Sequence, residues 1–123
     1  AMKVLVVDDS AIMRRVIEQI LLGLSHQAVQ AGGGEEALAR FAAHPDIGLI
    51  LLDWNMPRMN GLEFLHARKR EPRARDLPVI MLTTEPERRK MIQAIEAGAR
   101  HYLTKPFEAE TLAVKIAQCL AVG

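Results

Sequence analysis

Three short, almost wholly apolar runs in this chain end on residues too polar to be buried without a reason. Val4-Leu5-Val6-Val7 leads straight into Asp8-Asp9, and Leu49-Ile50-Leu51-Leu52 leads straight into Asp53. Tyr102-Leu103-Thr104 leads to Lys105, just ahead of Pro106. Continuous apolar runs of this length, without polar alternation, read as strands of a parallel sheet covered on both faces. In open α/β sheets the ligand crevice lies outside the carboxyl ends of such strands. Three carboxylates and an ammonium gathered there are poor packing material. They suit a divalent cation and a phosphoryl group.

The rest of the chain alternates in the same way. Ile12, Val16, Ile20 and Leu24 recur at helical spacing after the first run, and Ser10 is placed to cap that helix. Gln27 to Ala31 reads as a second strand, closed by Gly32-Gly33-Gly34, and a short helix follows from Glu35 to His44 with Ala37, Leu38 and Phe41 inward. The glycine triplet is read as a tight loop, because no Lys-Ser/Thr follows it as in a phosphate-binding loop. The third strand spans Ile47–Leu52. The next helix starts at Asn60-Gly61, turns Leu62 and Leu65 inward, and ends by Glu71-Pro72. Val79–Leu82 is a fourth strand. A helix from Pro86 to Ala97 stops at Gly98, as expected of a glycine after a helix end. A fifth strand, Arg100–Leu103, precedes a last helix carrying Leu112, Ile116 and Leu120. Five strands alternating with five helices predict a flavodoxin-like, doubly wound α/β fold with strand order 2-1-3-4-5.

Composition narrows the setting. The 123 residues match one domain, with no internal repeat or linker, and residues 1–123 are read as a single unit. Ala1, ahead of Met2, is expected to be a remnant of expression. Sixteen basic against fifteen acidic side chains leave a net charge of +1, which by itself draws neither nucleic acid nor membrane. Spanning a bilayer takes about 20 consecutive apolar residues, and no run comes near that. Neither a signal peptide nor a disulfide is expected, since Cys119 is the single cysteine; a cytoplasmic monomer is the expectation.

At ~4 Å and an effective dielectric near 20, two carboxylates repel by about 4 kcal/mol. Protonating one of them or binding a divalent cation relieves that repulsion. Donors that are all oxygen favour a hard ion, Mg²⁺ or Mn²⁺. Mg²⁺ keeps waters that a phosphoryl oxygen can replace, so Asp53 is a candidate nucleophile toward phosphorus. Lys105 and the Thr83 hydroxyl, which follows the fourth strand, are candidates to meet the charge on the transferring group.

Taken together, Val7-Asp8-Asp9-Ser10, Asp53-Trp54-Asn55-Met56-Pro57, Asn60-Gly61, Thr83-Thr84-Glu85 and Tyr102-Leu103-Thr104-Lys105-Pro106-Phe107 resemble response-regulator receiver domains, along the whole chain. Within that family the likeness is to single-domain chemotaxis regulators (CheY-like). The resemblance implies that Asp53 is the phosphoacceptor, fed by a histidine kinase, and that Asp8 and Asp9 hold Mg²⁺ together with the main-chain carbonyl of Asn55. It implies that Lys105 and Thr83 contact the phosphoryl oxygens and that the Lys105–Pro106 peptide is cis. It further implies a switch in which Thr83 moves inward and Tyr102 follows, remodelling the face of helix four, strand five and helix five for a protein target. Asn55 and Glu85 flank the line of water attack, so a phosphorylated lifetime of seconds to minutes is expected.

Several features depart from the family pattern. Gly33 replaces an acidic residue, Asn60 stands where Asp is commoner, Thr84 is larger than usual beside Thr83, and Pro86 is unusual. Arg88, Arg89 and Lys90 form a solvated charge run or a docking patch for an acidic segment, with Arg100, His101 and Lys115 near the same face. Trp54 is expected to be a partly exposed reporter of metal binding, Cys119 a small core residue, and His26, His44, His66 and His101 surface or structural groups. A receiver cut from a larger hybrid kinase or transcriptional regulator is the alternative; an end at Ala121-Val122-Gly123 favours a free-standing protein. A Mg²⁺-dependent phosphatase of the haloacid dehalogenase type is a distant one, because it needs a general acid where this chain has Asn55. A flavin carrier is disfavoured by Asp8-Asp9 beside the cofactor phosphate.

Overall fold

A computed structural model describes residues 1–84 and 89–121. Five parallel strands, β1 (Lys3–Val7), β2 (Gln27–Ala31), β3 (Ile47–Asp53), β4 (Val79–Thr84) and β5 (His101–Lys105), lie in the order β2-β1-β3-β4-β5. Five helices alternate with them: α1 (Ala11–Gly23), α2 (Gly34–Ala43), α3 (Gly61–Ala67), α4 (Met91–Glu96) and α5 (Ala109–Ala121). A 3₁₀ turn, Arg68–Arg70, extends α3. The doubly wound order expected from the alternation of apolar runs is the one observed.

Side-chain parity along the strands divides the core in two. Val4, Val6, Leu49, Leu51, Ile80 and Leu82 face α1 and α5, meeting Ile17, Leu21, Leu112, Ile116 and Cys119. Leu5, Val7, Ile50, Leu52, Val79 and Met81 face α2, α3 and α4, meeting Phe41, Phe64 and Leu65. The middle strands β1, β3 and β4 are therefore closed to water on both faces, which is what their unbroken apolar runs require.

Two stripes expected to face inward are corrected. On α1 the buried positions are Ile17 and Leu21; of the expected stripe, Ile20 and Leu24 pack against the core, while Ile12 is 75% exposed and Val16 is also exposed. The helix carries two apolar stripes, and the sheet takes the one beginning at Met13. On α5, Cys119 completes the buried stripe with Leu112 and Ile116, and Leu120 faces out. Cys119 is thus the core residue expected. β4 and β5 also run two residues further toward their carboxyl ends than their apolar runs alone suggest, because the ladder continues through Thr83–Thr104 and Thr84–Lys105.

Three local devices hold the crevice edge in shape. Asn60 and Glu63 form a reciprocal capping box at the start of α3, so Asn serves where an acidic residue was the commoner choice. Arg68, buried, donates to the carbonyls of Ala74, Leu77 and Gly98 and ties the end of α3 to the turn after α4. That turn is made by Gly98 at φ +113°, a conformation open to glycine. Gly61 lets α3 approach the β3 end: a Cβ there would lie 2.8 Å from Met81 Cε, 3.0 Å from Asp53 O and 3.1 Å from Trp54 Cα. Gly61→Ala is expected to lower stability by about 1–3 kcal/mol through overpacking. Urea unfolding should show this as a lower midpoint at unchanged slope.

Candidate functional site

Register brings the polar strand ends together. Val7 is aligned with Ala31 on one side and Leu52 on the other, so Asp8 and Asp53 emerge side by side from β1 and β3. Asp53 is aligned with Leu82, which puts Thr83 one step beyond it on β4, and Thr84 is aligned with Lys105 on β5. The Trp54 N–H donates to Leu82 O at 3.1 Å and Gly61 N–H to Trp54 O at 2.8 Å, pinning the backbone just after Asp53 to β4 and to α3.

The four residues expected to converge do so. Asp8, Asp9 and Asp53 each place a carboxylate oxygen within 4.8 Å of the others. Lys105 Nζ donates to Asp8 Oδ2 at 2.8 Å and to Asp53 Oδ1 at 3.1 Å. Asp8 is buried; its Oδ1 accepts from the Ser10 N–H at 2.9 Å and its own N–H donates to Ala31 O. Ser10 Oγ in turn caps α1 by accepting from the Met13 N–H. The Lys105–Pro106 peptide is cis.

Electrostatics follow from this crowding. Burial, opposed by Lys105 and reinforced by Asp8 and Asp9, pushes the Asp53 carboxyl up to about 6. Burial pulls the Lys105 ammonium down, but its hydrogen bond to Asp8 and the charges of Asp53 and Asp8 outweigh that and hold it above its usual range. One ammonium against three carboxylates leaves a local excess of negative charge. The donor set is all oxygen, so it fits a hard divalent cation rather than a thiophilic one.

Thr83 is buried on the β4 end, its hydroxyl donating to Thr84 O at 3.2 Å. Tyr102 is half-buried against the core, with Lys115 Nζ of α5 5.9 Å from its ring centroid. Asn55 is exposed beside the acidic crevice. Trp54, expected to be partly exposed, is only 4% exposed: its side chain belongs to the core cluster, and Lys90 Nζ lies 5.7 Å over its ring. Arg89 and Lys90 are exposed just ahead of α4, whereas Glu85, Pro86 and Arg88 lie outside the described residues. Arg100 is exposed, and its guanidinium donates to Cys119 O at 2.8 Å. Sequence reasoning missed Arg14, whose guanidinium reaches the Asp8 carbonyl. Its signal was weak: a basic residue on the first turn of α1, where side chains lean back toward the helix start.

A family model described as the response regulator receiver domain matches residues 4–117. The chain belongs to the response regulator receiver domain family. It is similar to a chemotaxis protein CheY homolog of Campylobacter jejuni, 42% identical over 123 residues, covering 99% of this chain and 95% of that protein. Among solved structures, the chemotaxis protein CheY4 of Vibrio cholerae is 36% identical with a TM-score of 0.89, covering 97% of this chain and 99% of that one. A probable two-component system response regulator/GGDEF domain protein is 30% identical with a TM-score of 0.90, and there the likeness covers 98% of this chain and 50% of the other. This receiver is therefore a CheY-like module of two-component signalling, with its acidic crevice where the strand ends converge.

The Asp53 shift sets a pH dependence. A carboxyl that keeps its proton to about 6 when folded, but loses it near 3.8 when unfolded, favours folding below 3.8. That advantage is lost as pH rises through 6. In EDTA the stability difference between wild type and Asp53→Asn should therefore widen from pH 4 to 7 in favour of the variant. At 1.36 kcal/mol per pKa unit it should reach up to about 3 kcal/mol, read from urea unfolding at each pH.

Proposed function

We propose that this receiver is a phosphorylation-controlled signalling switch that accepts a phosphoryl group on Asp53 from the phosphohistidine of a histidine kinase and, in that state, engages a protein target in chemotaxis or motility. One observation supports it above the others: Lys105 Nζ clasps Asp8 and Asp53 together, 2.8 and 3.1 Å away, with Asp9 completing the acidic cluster.

In the proposed reaction an Asp53 carboxylate oxygen attacks phosphorus while the phosphorus–nitrogen bond of the donor breaks. The bonding pair stays on the imidazole nitrogen, which takes up a proton. Lys105 follows the incoming phosphoryl oxygens, and the Thr83 hydroxyl turns from Thr84 O to donate to them. Asp8, Asp9, Asp53 and the main-chain carbonyl of Asn55 would hold Mg²⁺ (or Mn²⁺), which when bound supplies positive charge against the phosphoryl oxygens. The chain promotes only its own phosphorylation and dephosphorylation. Asn55, exposed beside the acidic crevice, tunes the latter, and the family resemblance assigns the same part to Glu85.

Moving a switch from 1:99 to 99:1 needs about 5.5 kcal/mol of preference for one state. A dianion held by a metal, a lysine and a hydroxyl can supply that; an exposed ion pair, worth at most about 1 kcal/mol, cannot. Withdrawal of Thr83 toward the phosphoryl group opens space on β5 for Tyr102, which links the crevice to the α4–β5–α5 face. A monomer in the cytoplasm, acting without nucleic acid or membrane, fits this role. The likeness to a GGDEF-containing regulator supports the second reading, in which the same receiver serves as the input module of a longer protein.

Incubated with a small phosphodonor such as acetyl phosphate and Mg²⁺, the wild-type chain should gain one phosphoryl group in its intact mass. Asp53→Asn or EDTA should abolish the gain; a chain that stays unmodified, or an Asp53→Asn variant modified equally, would refute the reading. Tyr102→Ala should still take up the phosphoryl group yet lose most of the phosphorylation-dependent gain in target affinity. Calorimetry against the target, with and without beryllofluoride, measures that loss.

A further inference from the structure

Asp8 and Asp9 share one peptide plane, and that plane helps set the directions in which both carboxylates leave the β1 end. Its carbonyl, Asp8 O, accepts from Arg14 Nη1 at 2.5 Å. Arg14 stands on the first turn of α1, and it is not a loose surface cation. Its Nε donates to Gln30 Oε1 on β2 at 3.1 Å, and Gln30 Nε2 donates to Glu18 Oε1 at 3.2 Å. The main chain of Gln30 is held as well: its carbonyl accepts from Arg40 Nε at 2.9 Å, and Arg40 pairs with Glu36. The guanidinium thus bridges a braced position on β2 to the peptide joining the two acidic residues.

The other holds on Asp8 act elsewhere on the residue. Its N–H is engaged by Ala31 O, and its carboxylate by Ser10 N–H and Lys105. The peptide plane itself is gripped from the carbonyl side by Arg14. We propose that Arg14 is a positioning residue for the phosphorylation chemistry. It fixes the Asp8–Asp9 peptide so that both carboxylates converge, against their mutual repulsion, before a metal ion binds. This inference rests on the reading of the crevice as a Mg²⁺ and phosphoryl site.

Two effects of Arg14 have opposite signs, which makes the inference decidable. As a nearby cation it weakens attraction for Mg²⁺, so its removal by charge alone would tighten binding. As an anchor it prepays the ordering of the ligands, and outer-shell groups of this kind typically contribute about 10–100-fold in metal affinity. The geometry points to the second effect prevailing, because the fork spans two acceptors that a lysine ammonium cannot bridge in the same way.

Titration calorimetry with Mg²⁺ on the full chain tests it, alongside urea unfolding in EDTA. Arg14→Met should weaken Mg²⁺ binding by about 10-fold or more. Phosphorylation of Asp53 should recover as Mg²⁺ is raised. Arg14→Lys, which keeps the charge but not the fork, should resemble Arg14→Met rather than wild type. Gln30→Ala, which removes the anchor of the guanidinium, should give a smaller loss in the same direction. Unchanged or tighter Mg²⁺ binding in Arg14→Met would overturn the inference, as would loss of stability in EDTA without loss of affinity. Failure of the wild-type chain to bind Mg²⁺ would overturn both this inference and the proposed function, whereas wild-type binding without Arg14 dependence would overturn the inference alone.

Discussion

One ammonium spread over two carboxylates, with a third acid close by, is the interaction around which this molecule is arranged. Lys105 Nζ, at the end of β5, holds Asp8 at the end of β1 and Asp53 at the end of β3. The contact spans 97 residues of sequence on one side and 52 on the other. Such a clasp is possible only if three strands finish level with one another. Level strand ends, in turn, require the parallel register seen between Val7 and Leu52, Asp53 and Leu82, and Thr84 and Lys105. The sheet is therefore the jig, and burial of its middle strands on both faces is what keeps the jig rigid.

The charge balance at that edge is deliberately incomplete. Lys105 compensates part of the repulsion among three carboxylates, and the Asp53 carboxyl, desolvated first and crowded by Asp8 second, holds its proton to about 6. A fully neutralised cluster would have little reason to recruit a cation or a phosphoryl group. A cluster with no ammonium would spread apart. The crevice sits between these limits, with Arg14 gripping the peptide that joins two of the acids and the Ser10 N–H orienting one of their oxygens.

The switch proposed for this receiver would run through packing already in place. Thr83 is buried at the β4 end and Tyr102 is half-buried on β5, beneath Lys115 of α5. Arg68 ties the turn after α4 to the end of α3, so the far end of α4 has a fixed anchor while its near end lies by the crevice side of the sheet. Under the proposed function, this packing is what would couple a change of charge at one edge to a change of shape on one face.

The sequence alone determined the strand and helix order, the doubly wound sheet and the identity of the convergent acids, because unbroken apolar runs ending on charge have few other uses. Even the faint second strand was legible, at Gln27–Ala31. Tertiary structure decided which of two apolar stripes on α1 faces the sheet, that Leu120 faces out, and that Trp54 is sealed from water. It also decided that β4 and β5 extend through Thr84 and Lys105, and that Arg14 joins the site. Local periodicity ranks faces by apolarity, but which face is covered depends on the neighbour that arrives. A side chain such as Arg14 gains its role only when a carbonyl distant from its own helical turn is brought within reach.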